Sequence, residues 1–172
     1  MLTKGFASTP FFFHPAYRTG SAFRYLGRQD INGRHTYVVA FAQIPAKAHL
    51  CGDFHNGRES ATTFSQGLAW IDTATSQVVR MHTDLLAPLP EVQLERETLD
   101  IDFQEVHFAH TDKGFWLPQQ VTLALDWNGK RLRNRHEYSN FQVFNVEASE
   151  KIGKPKQSLN SSPKAEGAGV TQ

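Results

Sequence analysis

The chain is 172 residues long, which suits one ordinary domain followed by a tail. Its formal net charge of +1 gives no global attraction to nucleic acid or to an anionic membrane, so no nucleic-acid partner is expected. Hydrophobic residues make up 40% of the chain and aromatic residues 12%, which is enough for a substantial core.

No segment approaches the roughly 20 consecutive apolar residues that a membrane-spanning helix requires. The first ten residues also lack the apolar stretch of a secretory signal, so the chain as given predicts a cytoplasmic protein or a truncated piece of an exported one. Cys51 is the single cysteine, and an internal disulfide is therefore excluded.

Residues 1–20 form an aromatic-rich segment in which glycine and proline interrupt any regular period. Its aromatic cluster, Phe11 to Phe13 with Tyr17, is expected to cover one end of the core. The alternative is an exposed apolar patch that contacts a partner.

The first hairpin is predicted around the dipeptide Asn32-Gly33, which favours a tight turn. One strand begins near Phe23. The returning strand places Tyr37 and Val39 on one face and Val38 on the other, because side chains alternate along a strand.

Residues 45–66 predict a long polar connection with a short strand near residues 49–54. Within it His49, Cys51, Asp53 and His55 alternate, and in an extended strand all four potential metal ligands would project from one face. The glycines at 52 and 57 favour a bent loop instead, so a polar loop with an incidental cysteine is the preferred interpretation and no metal is predicted.

The second hairpin is predicted from two apolar runs, Leu68–Ile71 and Val78–Met81, which flank a small polar loop after Asp72. Leu68 and Trp70 share one face of the first strand and Ile71 takes the other. A strand that is apolar on both faces predicts a position in the middle of a sheet that is covered on both sides.

Next along the chain, Leu99, Ile101 and Phe103 alternate with acidic residues, and this pattern changes parity near Gln104 and Glu105. A parity change within one strand predicts a bulge. Residues 110–114 predict a turn.

The last hairpin is predicted around Asn128-Gly129, the preferred type I′ dipeptide. A two-residue loop pairs Trp127 with Lys130 and opposes Asp126 to Arg131. By the same register Leu125 faces Leu132, Leu123 faces Asn134, and Val121 faces His136. Asn134 and His136 then lie on an apolar face, where they line a cavity or tie down a loop; the second is the commoner outcome.

Beyond this hairpin, Phe141, Val143 and Phe144 indicate a final strand segment. From residue 148 the chain is rich in Lys, Ser, Pro and Gly and lacks aromatic residues. Such a composition predicts a disordered tail. The predicted organisation is therefore an aromatic-rich stretch at the N-terminus (1–20), a mainly β domain built on an antiparallel sheet (21–147), with at most one short helix, and the tail (148–172).

Catalytic motifs are absent: there is no nucleophile elbow, phosphate-binding loop, dinucleotide fingerprint or zinc-protease helix. A non-enzymatic protein without a cofactor is expected. Arg131, Arg133 and Arg135 form a stripe on one sheet face that could meet an anionic headgroup or a partner protein. A solvent-facing surface balanced by Asp126 and Glu137 is the preferred interpretation.

Three segments, FRYLGR (23–28), GRHTYVV (33–39) and GLAWIDTATSQVVR (67–80), resemble the lipoprotein-carrier superfamily of LolA-type carriers and RseB/MucB-type periplasmic sensors. Residues 116–118 (WLP), 127–129 (WNG) and 133–141 (RNRHEYSNF) more closely resemble a group of uncharacterised exported bacterial proteins, largely acidobacterial. Together the resemblance spans about residues 21–146. It implies an antiparallel sheet curled into an open half-barrel and a periplasmic or exported location.

In the carriers the concave apolar face of the half-barrel holds acyl chains. The resemblance therefore implies an envelope binding module for a lipid, an acyl chain or an apolar protein segment. The expected contact residues on the inner face are Tyr37, Val39, Trp70, Leu123, Leu125, Trp127, Leu132, Asn134 and His136. The alternative is a structural or protein-interaction domain of a larger envelope assembly, with edge strands and the aromatic N-terminus as its contact surface.

Overall fold

The computed structural model describes residues 6–108 and 114–142. The strands are β1 (Ser21–Ile31), β2 (Arg34–Gln43), β3 (Gly52–His55), β4 (Ser60–Thr63), β5 (Ser65–Asp72), β6 (Val78–Leu85), β7 (Leu94–His107), β8 (Gly114–Trp127) and β9 (Lys130–Glu137). Seven of them form one antiparallel sheet in the order β1-β2-β5-β6-β7-β8-β9, and β3 and β4 form a separate hairpin. The predicted mainly β, antiparallel fold is confirmed.

Both predicted Asn-Gly turns are present. Asn32 and Gly33 have φ of 49° and 76°, and Asn128 and Gly129 have φ of 50° and 67°, which is the left-handed backbone that a type I′ turn requires. The predicted register of the last hairpin is confirmed, because Trp127 pairs with Lys130 and every later pair follows from it.

The sequence predicted at most one short helix, and the described residues contain three short 3₁₀ helices: Phe6–Phe13, Arg18–Gly20 and Pro90–Val92. The first of them is called the N-terminal segment below. Among the described residues no helix is long and apolar enough to cross a membrane.

Register divides the seven-stranded sheet into two faces. The covered face carries the row Val39, Ala69, Met81, Ile101 and Val121. The open face carries the row Ala40, Leu68, His82, Asp100 and Thr122. Ala69, Met81, Ile101 and Val121 are at most 1% exposed, so the core lies against the covered face.

Two parts of the chain pack on the covered face. Phe12 and Phe13 of the N-terminal segment lie against Phe41, with ring centroids 5.3 and 5.7 Å apart. Further along the sheet, Phe54 of the β3–β4 hairpin packs in a second core cluster with Leu125. Of the four aromatic residues predicted to cover the core, Phe12 and Phe13 therefore do so, whereas Phe11 is 49% exposed and Tyr17 lies beside His14, with ring centroids 5.8 Å apart.

The sheet is strongly curved around the covered face. Six residues of 3₁₀ helix rise about 12 Å, whereas β2 and β9 would lie about 24 Å apart in a flat sheet. Phe12 nevertheless contacts Phe41 on β2 while Phe6 lies 5.6 Å from His136 on β9. The covered face is therefore the concave one, and the sheet is an open, curved sheet.

The two ends of the curved sheet, near β2 and near β8, also approach each other directly. Three strands separate β2 from β8, a spacing of about 19 Å in a flat sheet. Yet the guanidinium of Arg34 on β2 lies 4.9 Å from the ring centroid of Trp116 on β8 and 4.0 Å from Glu105 on β7. A single arginine side chain can span this distance only because the sheet curls.

Several finer predictions differ from the structure. The bulge predicted in β7 near Gln104 and Glu105 lies on the neighbouring strand instead: Asp102 pairs with Gln120 and Phe103 with Pro118, so the extra residue is Gln119 on β8. The short strand predicted near residues 49–54 is half of a hairpin, β3–β4. Phe141 lies outside any strand. The predicted turn at 110–114, the strand residues Val143 and Phe144, and the tail fall largely or wholly outside the described residues.

Candidate functional site

Eight of the nine predicted contact residues share the covered face of the sheet. The strand register places on this face the side chains of Tyr37, Val39, Leu123, Leu125, Trp127, Leu132, Asn134 and His136. They do not form an empty groove, because the chain itself fills much of the concave surface.

The centre of this surface belongs to the core. Leu123 and Leu125 are buried against Phe54 and its neighbours. The ring of Trp127 meets that of Phe54 edge-to-face at 6.0 Å, and its indole nitrogen donates a 3.0 Å hydrogen bond to the carbonyl of Val92. These side chains hold the β3–β4 hairpin in place.

The edges of the covered face are more accessible. Tyr37 and Leu132 are 36% and 45% exposed, and Asn134 is exposed as well. His136 stacks on Tyr138 and touches Phe6, and its Nε2 is buried without a hydrogen-bond partner among the described residues. His136 therefore packs against aromatic rings, and through Phe6 its ring helps to hold the N-terminal segment.

Trp70 does not share this face, and its predicted position is wrong. It pairs with Val38 on β2 and with Arg80 on β6, so it belongs to the open face. Its indole nitrogen donates a 2.8 Å hydrogen bond to the side-chain oxygen of Gln29. Because Leu68–Ile71 is apolar on both faces, the strand pattern alone could not show which side would be covered.

A groove of about 580 Å³ lies on the open face, across β1, β2, β5 and β6. Its lining consists of Ala22, Phe23, Arg24, Ala40, Phe41, Ala42, Gln66, Gly67, Leu68, His82 and Asp84. Two cross-strand rows build it. One runs Arg24, Ala40, Leu68 and His82, and the other runs Ala22, Ala42, Gln66 and Asp84. Small alanines between longer side chains leave the depression.

The two ends of the groove differ in charge. Arg24 is exposed at the β1 end and makes no ion pair with any described residue. Three inter-strand spacings away, about 14 Å, His82 lies between two carboxylates. Its Nδ1 is 2.7 Å from Asp100 and its Nε2 is 3.1 Å from Asp84.

Burial by itself lowers the pKa of His82, but the hydrogen bonds and charges of Asp100 and Asp84 outweigh it, so the pKa is raised. The Thr98 hydroxyl donates a further 2.8 Å hydrogen bond to Asp84. This end of the groove therefore favours an imidazolium that is already neutralised by its neighbours, and Arg24 carries the available positive charge.

The alternating His49, Cys51, Asp53 and His55 do not form a metal-binding group. Only residues 52–55 are in a strand, where Asp53 and His55 oppose Thr62 and Ser60. Across the described parts of the chain, no cluster of three or more His, Cys, Asp or Glu side chains could hold a metal ion. Cys51 is exposed.

The arginine stripe of β9 lies on the open face near the opposite edge. The predicted cross-strand pair is present, with Arg131 donating to Asp126 at 2.9 Å, and Arg135 lies 2.8 Å from Glu137. A second cavity of about 640 Å³ at this turn is lined by charges of both signs, among which Arg96 and Arg131 lie 3.9 and 2.9 Å from Asp126.

Sequence reasoning missed the groove residues. An alanine side chain has no functional group, so Ala22, Ala40 and Ala42 give no signal singly, and only the register of β1 with β2 brings them together. Comparison of the chain with protein-family models, with curated proteins and with solved structures gives no match. The resemblance to lipoprotein carriers therefore stays a prediction.

Proposed function

We propose that this protein is a non-enzymatic binding module that takes up an acyl chain of an amphiphile in the open-face groove. The observation that carries the proposal is the groove itself, an accessible depression whose floor is made of alanine and leucine side chains. An envelope location and an amphiphilic lipid as partner belong to the same proposal, in keeping with the carriers that the sequence resembles.

The dimensions of the groove support a small, elongated ligand. Its volume of about 580 Å³ lies within the range of small-molecule sites. The floor offers apolar surface, and burying such surface supplies affinity without directional contacts. The expected contact surface thus moves from the concave face, which the chain fills, to the opposite side of β1, β2, β5 and β6.

The charges at the rim support an anionic headgroup at the β1 end. A guanidinium binds carboxylate or phosphate oxygens through paired N–H donors, and Arg24 has no described carboxylate that competes for them. The His82 end carries Asp84 and Asp100, which repel a second anion. A bound fatty acid would therefore lie with its carboxylate at Arg24.

The test is calorimetric titration of the delipidated full chain with palmitate. Ala40→Leu fills the floor of the groove and is expected to weaken binding about tenfold or more. Ala124→Leu introduces the same side chain on the same face but outside the groove, and is expected to bind as the unmodified chain does.

The headgroup is tested by Arg24→Gln with palmitate and with hexadecanol, which lacks the carboxylate. The variant is expected to weaken palmitate binding only, because a charge-assisted hydrogen bond is lost. If palmitate does not bind and native mass spectrometry finds no co-purified lipid, or if Ala124→Leu is as harmful as Ala40→Leu, the proposed function is wrong.

A further inference from the structure

β1 is the first strand of the seven-stranded sheet, and no described strand pairs with its outer side. This edge is unusually apolar. Phe23, Tyr25 and Leu26 are 39%, 59% and 51% exposed, and Tyr37 beside them on β2 is 36% exposed. An edge strand with free backbone groups and exposed apolar side chains is a template for pairing with another strand.

The opposite edge is protected. Five of the eight residues of β9 are charged: Lys130, Arg131, Arg133, Arg135 and Glu137. Charged side chains, lysine above all, are a common way to prevent edge-to-edge pairing. One edge of this sheet is thus closed to a new strand and the other is open to it.

We propose that a second copy of this chain pairs with β1 through its own β1, antiparallel and around a two-fold axis. Pairing of β1 with β9 of another copy would place Arg24 and Arg28 beside a basic strand and would continue as an open filament. Pairing of β1 with itself avoids both problems, because a two-fold contact uses the same surface on each copy and closes.

The faces of the sheet select the register of this contact. The register shift of β1 between Tyr25 and Gly27 puts Tyr25 and Arg28 on the covered face and Arg24 and Gln29 on the open face. A register centred between Leu26 and Gly27 keeps both faces continuous across the axis. It opposes Tyr25 to Arg28 of the second copy.

That register is chemically self-complementary. Arg28 already lies 5.3 Å from the ring centroid of Tyr37, so a tyrosine of the second copy would enclose the same guanidinium from its other side. Around the axis the contact also places Arg24 opposite Gln29 and Ala22 opposite Ile31, each pair occurring twice. No pair brings two like charges together.

Light scattering coupled to size exclusion tests the proposal with the full chain over a range of concentrations. The unmodified chain is expected to be dimeric. Tyr25→Lys opposes a lysine to Arg28 of the second copy and is expected to weaken dimerisation about tenfold or more. Leu132→Lys makes a matched change on β9, at a side chain that is 45% exposed, and is expected to remain dimeric.

A cross-link tests the register. In a Cys51→Ser background, Leu26→Cys is expected to form a disulfide-linked dimer on mild oxidation, because the two copies of residue 26 flank the axis, whereas Leu132→Cys is not. A chain that stays monomeric at every concentration, or dimers that survive Tyr25→Lys with no cross-link through residue 26, would overturn the proposal.

Discussion

Asp72 ends β5 and organises the turn that follows it. One carboxylate oxygen accepts hydrogen bonds from the amides of Ala74 and Thr75 at 2.8 and 2.9 Å, and the other lies 3.0 Å from Arg34. The Thr75 amide lowers the pKa of Asp72 most, and burial acts in the opposite direction. Arg34 and the Ala74 amide lower the pKa further, and the net result is a fall from 3.8 to about 2.

Asp72→Asn is expected to remove an acid-sensitive part of the stability. A carboxyl whose folded pKa is lowered to about 2 stabilises the fold above pH 3.8, by about 2 kcal/mol, and loses that contribution as pH falls through 2. Asparagine keeps the turn hydrogen bonds but not the charge. Urea unfolding at several pH values should show a loss of about 1–2 kcal/mol at neutral pH that disappears in acid.

The matched control is Asp30→Asn. In the unmodified chain the exposed carboxylate of Asp30 pairs with His35 at 2.7 Å. Exposed pairs contribute little, so its stability should stay within about 0.5 kcal/mol of the unmodified chain. Equal acid dependence in the Asp72→Asn variant and in the unmodified chain would contradict the role given to Asp72.

Glu97 is a half-buried carboxyl on the covered face, opposite Leu125. Burial raises its pKa. When folding raises the pKa of a carboxyl group, the folded state loses stability as pH rises from the pKa of the unfolded chain through the raised pKa of the folded chain. Glu97→Gln is therefore expected to be more stable than the unmodified chain at neutral pH, with the difference shrinking below pH 4.5. Thermal unfolding at both pH values measures this, and Glu95→Gln, at an exposed position of the same strand, should show no such gain.

At the residue scale the sequence predicts what local chemistry determines. Asn128-Gly129 is sufficient to predict the register of Asp126 with Arg131, because the turn type fixes every later pair. The face of the sheet on which Trp70 lies could not be predicted, because it depends on the pairing of β5 with β2 and on what packs above these strands. The groove formed by the alanines could not be predicted for the same reason.

At the scale of elements, the N-terminal segment is attached to the sheet mainly through aromatic packing. Phe12→Ala is expected to lower the free energy of unfolding by about 2 kcal/mol, less than for a fully buried phenylalanine, because Phe12 is half-buried against Phe41. Phe11→Ala alters the same segment at an exposed ring and should cost much less. Equal losses in urea unfolding would mean that Phe12 does not anchor the segment.

The elements that sequence reasoning found are those bounded by turn residues. The β3–β4 hairpin was only half predicted, since its strands are four residues each and Phe54 is their one large apolar residue. Its position depends on a distant residue. The Gln43 side chain donates to the Leu50 carbonyl and accepts from the Ser65 amide, so it ties both ends of the insertion to β2.

For the whole molecule, the antiparallel arrangement was predictable from turns and strand patterns, and its curvature was implied by the family resemblance alone. The use of its two faces was not predictable. The concave apolar face that would hold a ligand in a carrier is filled by Phe6, Phe12, Phe13 and Phe54. Segments outside the seven strands of the sheet supply this filling, and no periodicity within one strand reveals it. The accessible groove lies on the opposite face.

The span of the N-terminal segment from β2 to β9 sets an order on folding. Phe6 leaves the ribosome before every strand of the sheet, yet its contact at His136 requires β9, the last of the described strands. Until β9 has been added, the concave apolar surface has no complete cover, and contacts between residues far apart in sequence are slow to form. A nascent chain of this protein would therefore expose that surface throughout synthesis, which makes it a substrate for chaperones until the final hairpin closes.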